Sequence, residues 1–174
     1  AKEAGLPLYQ YIGACRTSLP VYASGNFHET IQEYLDEALY YKSQGIPAYK
    51  AHPAGPVEFD LKLHQKLRDA VGDDYILMSD PVAEYTMGDA VRVGRQLEKL
   101  NYKWLEEPFR DFELYKYTEL CRTLDIPIAA TETTRGAHWG VAQAIAQRAA
   151  DIVRADVSWK DGITGTLKIA HMAE

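Results

Sequence analysis

Cysteine is scarce in this sequence: Cys15 and Cys121 are the only two in 174 residues, and neither belongs to a Cys-x-x-Cys pair. That leaves no thiolate metal site or redox motif, and two buried, reduced thiols in a cytoplasmic protein are expected. Runs of Lys or Arg are missing too, and 25 acids against 19 bases leave a net charge of −6. A nucleic-acid reader should show a basic stripe, so no nucleic-acid partner is expected. The apolar stretches are strand-sized, so none should span a membrane. No signal-peptide pattern opens the chain.

What is present is an ordinary globular composition, 47% hydrophobic and 25% charged, enough to bury one core. Ala1-Lys2-Glu3-Ala4 reads as mid-helix. Lys168 to Glu174 reads as apolar-periodic helix without a stop signal. Both ends suggest a segment of a longer protein.

Between them, strand and helix patterns alternate. Strands are expected at Pro20–Ser24, Ala48–His52, Tyr75–Asp80, Lys103–Glu106, Pro127–Glu132 and Asp151–Asp156. The helix from His28 to Gln44 should bury Ile31, Leu35, Ala38 and Leu39, and Gly45 should close it. Later helices should bury Phe59, Leu63, Leu67 and Val71, then Ala90, Val93, Leu97 and Leu100. Further stripes run through Leu114, Tyr117, Cys121 and Leu124, and through Val141, Ala142, Ile145 and Ala149. A last helix should begin near Gly162 or Ile163. Such alternation implies a parallel sheet covered by helices, either a (β/α) barrel or an open doubly wound sheet. No Gly-rich loop follows the first strand, which weakens a dinucleotide-binding open sheet.

Acids recur at the strand ends. Asp80 and Glu106 are 26 residues apart, Glu106 and Glu132 are 26 apart, and Asp156 follows after 24. An even stride that sets an acid on the same end of successive strands suits the rim of a barrel. Asp80, Glu106 and Glu132 would then converge, and three unscreened carboxylates would repel one another. A bound cation resolves this, and all-oxygen ligation suits Mg²⁺. Lys50 and His52 end the preceding strand at positions i and i+2, so they share a face beside that cation. Asp156 could be a fourth ligand or could orient a histidine. The remaining histidines, His28, His64, His138 and His171, lie on or next to helices and are expected at the surface or at an interface.

With these residues placed, the chain resembles the enolase superfamily, in its mandelate racemase-like branch. The matching stretches are Tyr49-Lys50-Ala51-His52, Ser79-Asp80-Pro81-Val82, Trp104-Leu105-Glu106-Glu107-Pro108, Ala130-Thr131-Glu132-Thr133, and Asp156 with Asp161-Gly162-Ile163-Thr164-Gly165. The resemblance implies a TIM-type (β/α) barrel with strands one to six present, the rest of the barrel and the capping domain lying outside this sequence. Residues 1–18 would be the end of the capping domain, and 19–174 the partial catalytic barrel.

It further implies an Mg²⁺ site at Asp80, Glu106 and Glu132, with Lys50 near the substrate carboxylate. His52 takes a place usually held by a second Lys as general base, and Asp156 would partner a histidine on strand seven. The expected activity is abstraction of a proton alpha to a carboxylate, and more narrowly dehydration of a sugar acid by a carbon-oxygen lyase. Racemase, epimerase or cycloisomerase chemistry and a non-catalytic binding barrel are the alternatives. The partners implied are a small carboxylate substrate and further copies of the chain. Two departures stand out: His52 replaces Lys, which favours a one-base dehydratase, and Val82 stands where many relatives have Asn.

Overall fold

The computed structural model describes residues 1–14, 16–53 and 55–174. Expectations for Cys15 lie outside the described residues. A short helix α1 (Leu8–Tyr11) precedes β1 (Ala23–Ser24), α2 (Ile31–Ser43), β2 (Ala48–Ala51) and α3 (Val57–Val71). Then follow β3 (Ile76–Ser79), α4 (Met87–Lys99), β4 (Leu105–Glu106), α5 (Leu114–Thr123), β5 (Ile128–Ala130), α6 (Ala137–Ala146), β6 (Ile152–Val153) and α7 (Gly162–Ala173). The strands are shorter than expected: β3, β5 and β6 end before Asp80, Glu132 and Asp156, whereas β4 reaches Glu106. Residues 2–5 form turns where the sequence reads as mid-helix.

Local chemistry sets several boundaries. Thr30 and Glu33 form a capping box that starts α2, and Thr86 with Asp89 does the same for α4. Gly45 follows α2 at φ +77°, a left-handed turn that costs glycine little. The buried stripes on α3 and α4 match the expected periodicity, with Leu63, Leu67, Val71, Ala90, Val93 and Leu97 all inside. On α2 the expectation fails at Leu39, which is 42% exposed, while Tyr34 is wholly buried. Tyr34 is tolerated there because its hydroxyl donates to the His52 carbonyl at 2.7 Å. Among the described residues, no helix is long and apolar enough to cross a membrane.

All neighbouring strands pair in parallel, and their order in the sheet is β1-β2-β3-β4-β5-β6. That order decides between the two architectures. A doubly wound sheet reverses its strand order to place helices on both faces. Right-handed crossovers between strands added in one direction keep every helix on one face. Successive helices α2, α3, α4 and α5 do pack on one another, as do α6 and α7. The sheet is the arc of a (β/α) barrel.

Burial separates its two faces. Tyr49, Ala51, Leu77, Leu105, Ile128 and Ala130 pack into the core under the helices. Their alternates Lys50, Met78, Glu106 and Ala129 therefore point to the barrel interior, since side chains alternate along a strand.

Candidate active site

Four of the expected residues meet at the C-terminal mouth of β2, β3 and β4. The Lys50 ammonium, 1% exposed, lies 2.9 Å from Asp80 Oδ2 and 2.9 Å from Glu106 Oε1. Both carboxylates contact one nitrogen, so their oxygens are within two hydrogen-bond lengths of each other. His52 completes the group: Nε2 is 3.3 Å from Asp80 Oδ2, and Nδ1 is 2.8 Å from the Gly25 carbonyl. A carbonyl can only accept, so Nδ1 carries a proton and Nε2 is the nitrogen turned toward the mouth. Burial alone would raise the Asp80 carboxyl. The hydrogen bond from His52 and the charge of Lys50 outweigh it and hold Asp80 below its ordinary range. The other oxygen, Oδ1, accepts from Val82 N at 3.1 Å, which turns the chain away after the strand.

Glu132 reaches this group by a different route. Glu106 is level with Ala129, so Glu132 lies three residues beyond the register partner of Glu106 despite the even stride in sequence. Ala130 packs outward under the helices, so unbroken alternation would send Thr131 inward and Glu132 outward. Thr131 instead adopts φ +89°, a region β-branched residues seldom enter. That turn returns Glu132 to the mouth, where Oε2 lies 2.9 Å from Arg154 Nη1. The same guanidinium nitrogen contacts Glu106 Oε1. Even so, burial pushes the Glu132 carboxyl up.

Arg154 and Lys160 carry no site expectation from the sequence, and Glu107 enters it only beside Glu106 in the Glu-Glu-Pro match, yet all three shape the site. Arg154 follows Ile152 at i+2, and Ile152 is level with the inward Ala129, so alternation was a usable signal. Glu107 is buried and accepts from Thr133 N at 3.1 Å and from Thr133 Oγ1 at 2.6 Å. The Lys160 ammonium is buried and donates to the Thr134 carbonyl. Burial lowers its pKa against the raising influence of Glu107, Asp111 and Glu132. Asp156 stays outside the cluster: Oδ1 accepts from Ser158 N at 2.6 Å, capping the turn into α7.

The histidines divide differently from the sequence reading. His64, expected at the surface or at an interface, is wholly buried with Nε2 2.9 Å from Ser79 Oγ. Helix α3 presses this residue onto the outward face of β3, where an imidazole fits among aromatic rings such as Tyr102. Cys121 is partly buried, and burial first, then nearby Asp151, pushes its thiol up to about 12.

The three carboxylates form an all-oxygen donor set, bridged pairwise by Lys50 and Arg154. Among the described residues no three acids, histidines or cysteines stand close enough to form a ready metal cluster. The Arg154 guanidinium stands between Glu106 and Glu132. Asp80, Glu106 and Glu132 are the acids at this mouth that could hold a hard cation.

Comparison with known proteins bears on what such a mouth is for. The family model described as "Enolase C-terminal domain-like" matches residues 33–174. The chain belongs to that family. It is 34% identical over 178 residues to L-talarate/galactarate dehydratase of Salmonella typhimurium, covering 99% of this chain and 44% of that protein. It is 32% identical over 177 residues to arabinonate dehydratase of Saccharolobus solfataricus, covering 99% of this chain and 47% of that one. A solved structure of an L-talarate/galactarate dehydratase variant, liganded with Mg and L-glucarate, superposes with a TM-score of 0.93 at 32% identity. That superposition covers 99% of this chain and 44% of the other. The enolase-type chain thus spans a little under half the length of the relatives it matches.

Proposed function

We propose that the protein containing this enolase-type barrel abstracts a proton alpha to a carboxylate, with Mg²⁺, and dehydrates a sugar acid of the aldonate or aldarate class. The observation that carries the reading is the gathering of Asp80, Glu106 and Glu132 around shared cations beside Lys50 and His52. The relatives named as sugar-acid dehydratases support the substrate class. Asp80, Glu106 and Glu132 would hold Mg²⁺, which when bound supplies positive charge where a second negative charge develops on the substrate carboxylate.

The chain's own residues do the remainder. The buried Lys50 ammonium is a fixed positive charge that attracts and orients the substrate carboxylate. The His52 ring is held by its Nδ1–H bond to the Gly25 carbonyl, and Nε2, which now faces Asp80, would be free to take the alpha proton once Asp80 engages Mg²⁺ instead. The C–H electron pair moves toward the carboxylate carbon. In the second step it returns to expel the β-hydroxyl, which leaves as water on receiving the proton held at His52 Nε2. The enol product tautomerises to a 2-keto-3-deoxy acid. Asp156 sits at the rim, where it would orient a histidine from a following strand, and residues 1–18 would lead in from a capping domain.

The test is a screen of the full chain with Mg²⁺ against aldonates and aldarates, reading 2-keto acid formation, with Glu132→Gln as control. A 2-keto product lost in the control supports dehydration. Solvent deuterium appearing only in racemised or epimerised acid would refute it.

A further inference from the structure

Glu132 is the one carboxylate at the mouth that strand alternation does not deliver. It depends on the backbone of Thr131–Thr134 holding a course that a β-branched residue at φ +89° resists. Each of those four residues is fixed from outside its own strand. Thr131 Oγ1 donates to the Arg154 carbonyl at 2.7 Å and accepts from Arg154 N at 3.2 Å. Glu132 faces the Arg154 guanidinium. Thr133 is bound at both N and Oγ1 by the Glu107 carboxylate. Thr134 is bound at its carbonyl by Lys160, which reaches across from the loop before α7.

Lys160 is the unusual member of this set. An ammonium 1% exposed to solvent has lost most of its hydration, and such a charge is normally paired with a carboxylate. Here its hydrogen bond goes to a neutral carbonyl, although Glu107, Asp111 and Glu132 all lie near enough to influence it. A charged donor aimed at a backbone oxygen fixes the path of that backbone more firmly than a neutral one would. The loop that carries Lys160 is itself pinned: a Cβ on Gly165 would stand 1.8 Å from the Lys160 carbonyl, so only glycine lets α7 seat against it. The anchor at one end and the ammonium at the other make Lys160 a strut between α7 and the β5 loop.

We propose that Lys160 is a positioning residue for Glu132, its buried ammonium keeping the strained Thr131–Thr134 segment turned into the mouth. The proposal rests on reading Glu132 as a ligand of Mg²⁺, so the experiment separates the two. Hydrogen exchange on the metal-free full chain reads the segment itself, through the amides of Thr133 and Arg135, which bond to Glu107 and Asp111. Calorimetry with Mg²⁺ alone then reads the site. Lys160→Met is expected to speed exchange at those two amides at least tenfold, with α3 and α4 unchanged. It should also weaken Mg²⁺ binding by about tenfold, the lower end for loss of an outer-shell partner. Lys160→Arg, which keeps a charged donor, should retain most of both.

Unchanged local exchange in Lys160→Met overturns the proposal whether or not Mg²⁺ binds. So does acceleration spread through α3 and α4, or an Arg variant that behaves like Met. Faster local exchange in a chain that binds no Mg²⁺ upholds the strut and sinks the metal reading instead.

Discussion

Two buried groups on α3 lead to an opposed pair of pH dependences. Asp60 and His64 stand one helical turn apart and both are fully buried. Asp60 Oδ2 accepts from the Tyr85 hydroxyl at 2.8 Å, and His64 Nε2 meets Ser79 Oγ at 2.9 Å. Among the described residues, the other atom of each, Asp60 Oδ1 and His64 Nδ1, has no hydrogen-bond partner. Burial pushes the Asp60 carboxyl up to about 6 and the His64 imidazole down to about 3. In the unfolded chain they return to about 3.8 and 6.5.

Between pH 6 and pH 4 the folded chain therefore keeps Asp60 protonated and His64 neutral, while the unfolded chain does the reverse. Unfolding releases one proton from Asp60 and takes one up at His64, so the pair contributes no net slope. Removing either partner exposes the other. In Asp60→Asn the unfolded state binds more protons, so stability falls as pH falls, by about 1.4 kcal/mol per unit. In His64→Gln the folded state binds more, so stability rises as pH falls, at the same rate of about 1.4 kcal/mol per unit. Over the two-unit window the variants should diverge by about 5 kcal/mol. Urea unfolding of the full chain at intervals from pH 6.5 to pH 4 measures this, with the unaltered chain as baseline for all other carboxylates. Parallel slopes in the two variants would refute the reasoning.

Three further outcomes follow from contacts elsewhere in the barrel. Arg154→Met leaves buried Glu106 with Lys50 as its remaining counter-ion, so stability without divalent cation should drop by about 3 kcal/mol. Adding Mg²⁺ should restore most of it, and equal losses in urea unfolding with and without Mg²⁺ would count against a shared cation site. Gly140→Ala should cost about 3 kcal/mol or more, because the new Cβ would stand 1.9 Å from the Arg135 backbone carbonyl. Gly94→Ala meets the Leu124 side chain instead, which can turn aside, so a loss of about 1 kcal/mol is expected by thermal unfolding.

Much of the barrel was legible because its signals are local. Helix stripes such as Leu63-Leu67-Val71 and capping boxes such as Thr30/Glu33 are written within a few residues, and the alternation of units implied the parallel sheet. The mouth was legible as far as alternation holds: Lys50 and His52 share a face, and Asp80 and Glu106 follow in register. Glu132 was placed at the mouth on the strength of an even stride, yet stride counts residues and register counts rungs. The 26-residue spacing matches the β3–β4 register, where Ser79 pairs Leu105, while β4 pairs β5 with Leu105 opposite Ile128. Buried polar groups were the least legible. Nothing within a few residues of His64 or Lys160 tells a wet helix face from a dry one, because the covering surfaces come from distant segments.

The backbone at the mouth bears on function independently of the carboxylates. Val82, Ala83, Glu107 and Thr131 all have positive φ without being glycine, and all fall within three residues of Asp80, Glu106 or Glu132. Such residues cost about 1–3 kcal/mol each and persist only where their surroundings over-determine them. A strand with period two can present alternate residues to a barrel interior at no such cost, as Lys50 and His52 do. Bringing an out-of-phase carboxylate to the same point requires a twist between it and the residue before. Thr131 supplies that twist, held by Arg154 on one side while Glu107 and Lys160 hold the two residues beyond Glu132. A barrel that served only as a scaffold would have no use for a third carboxylate at its mouth, and a β-branched residue at φ +89° would be strain without a return.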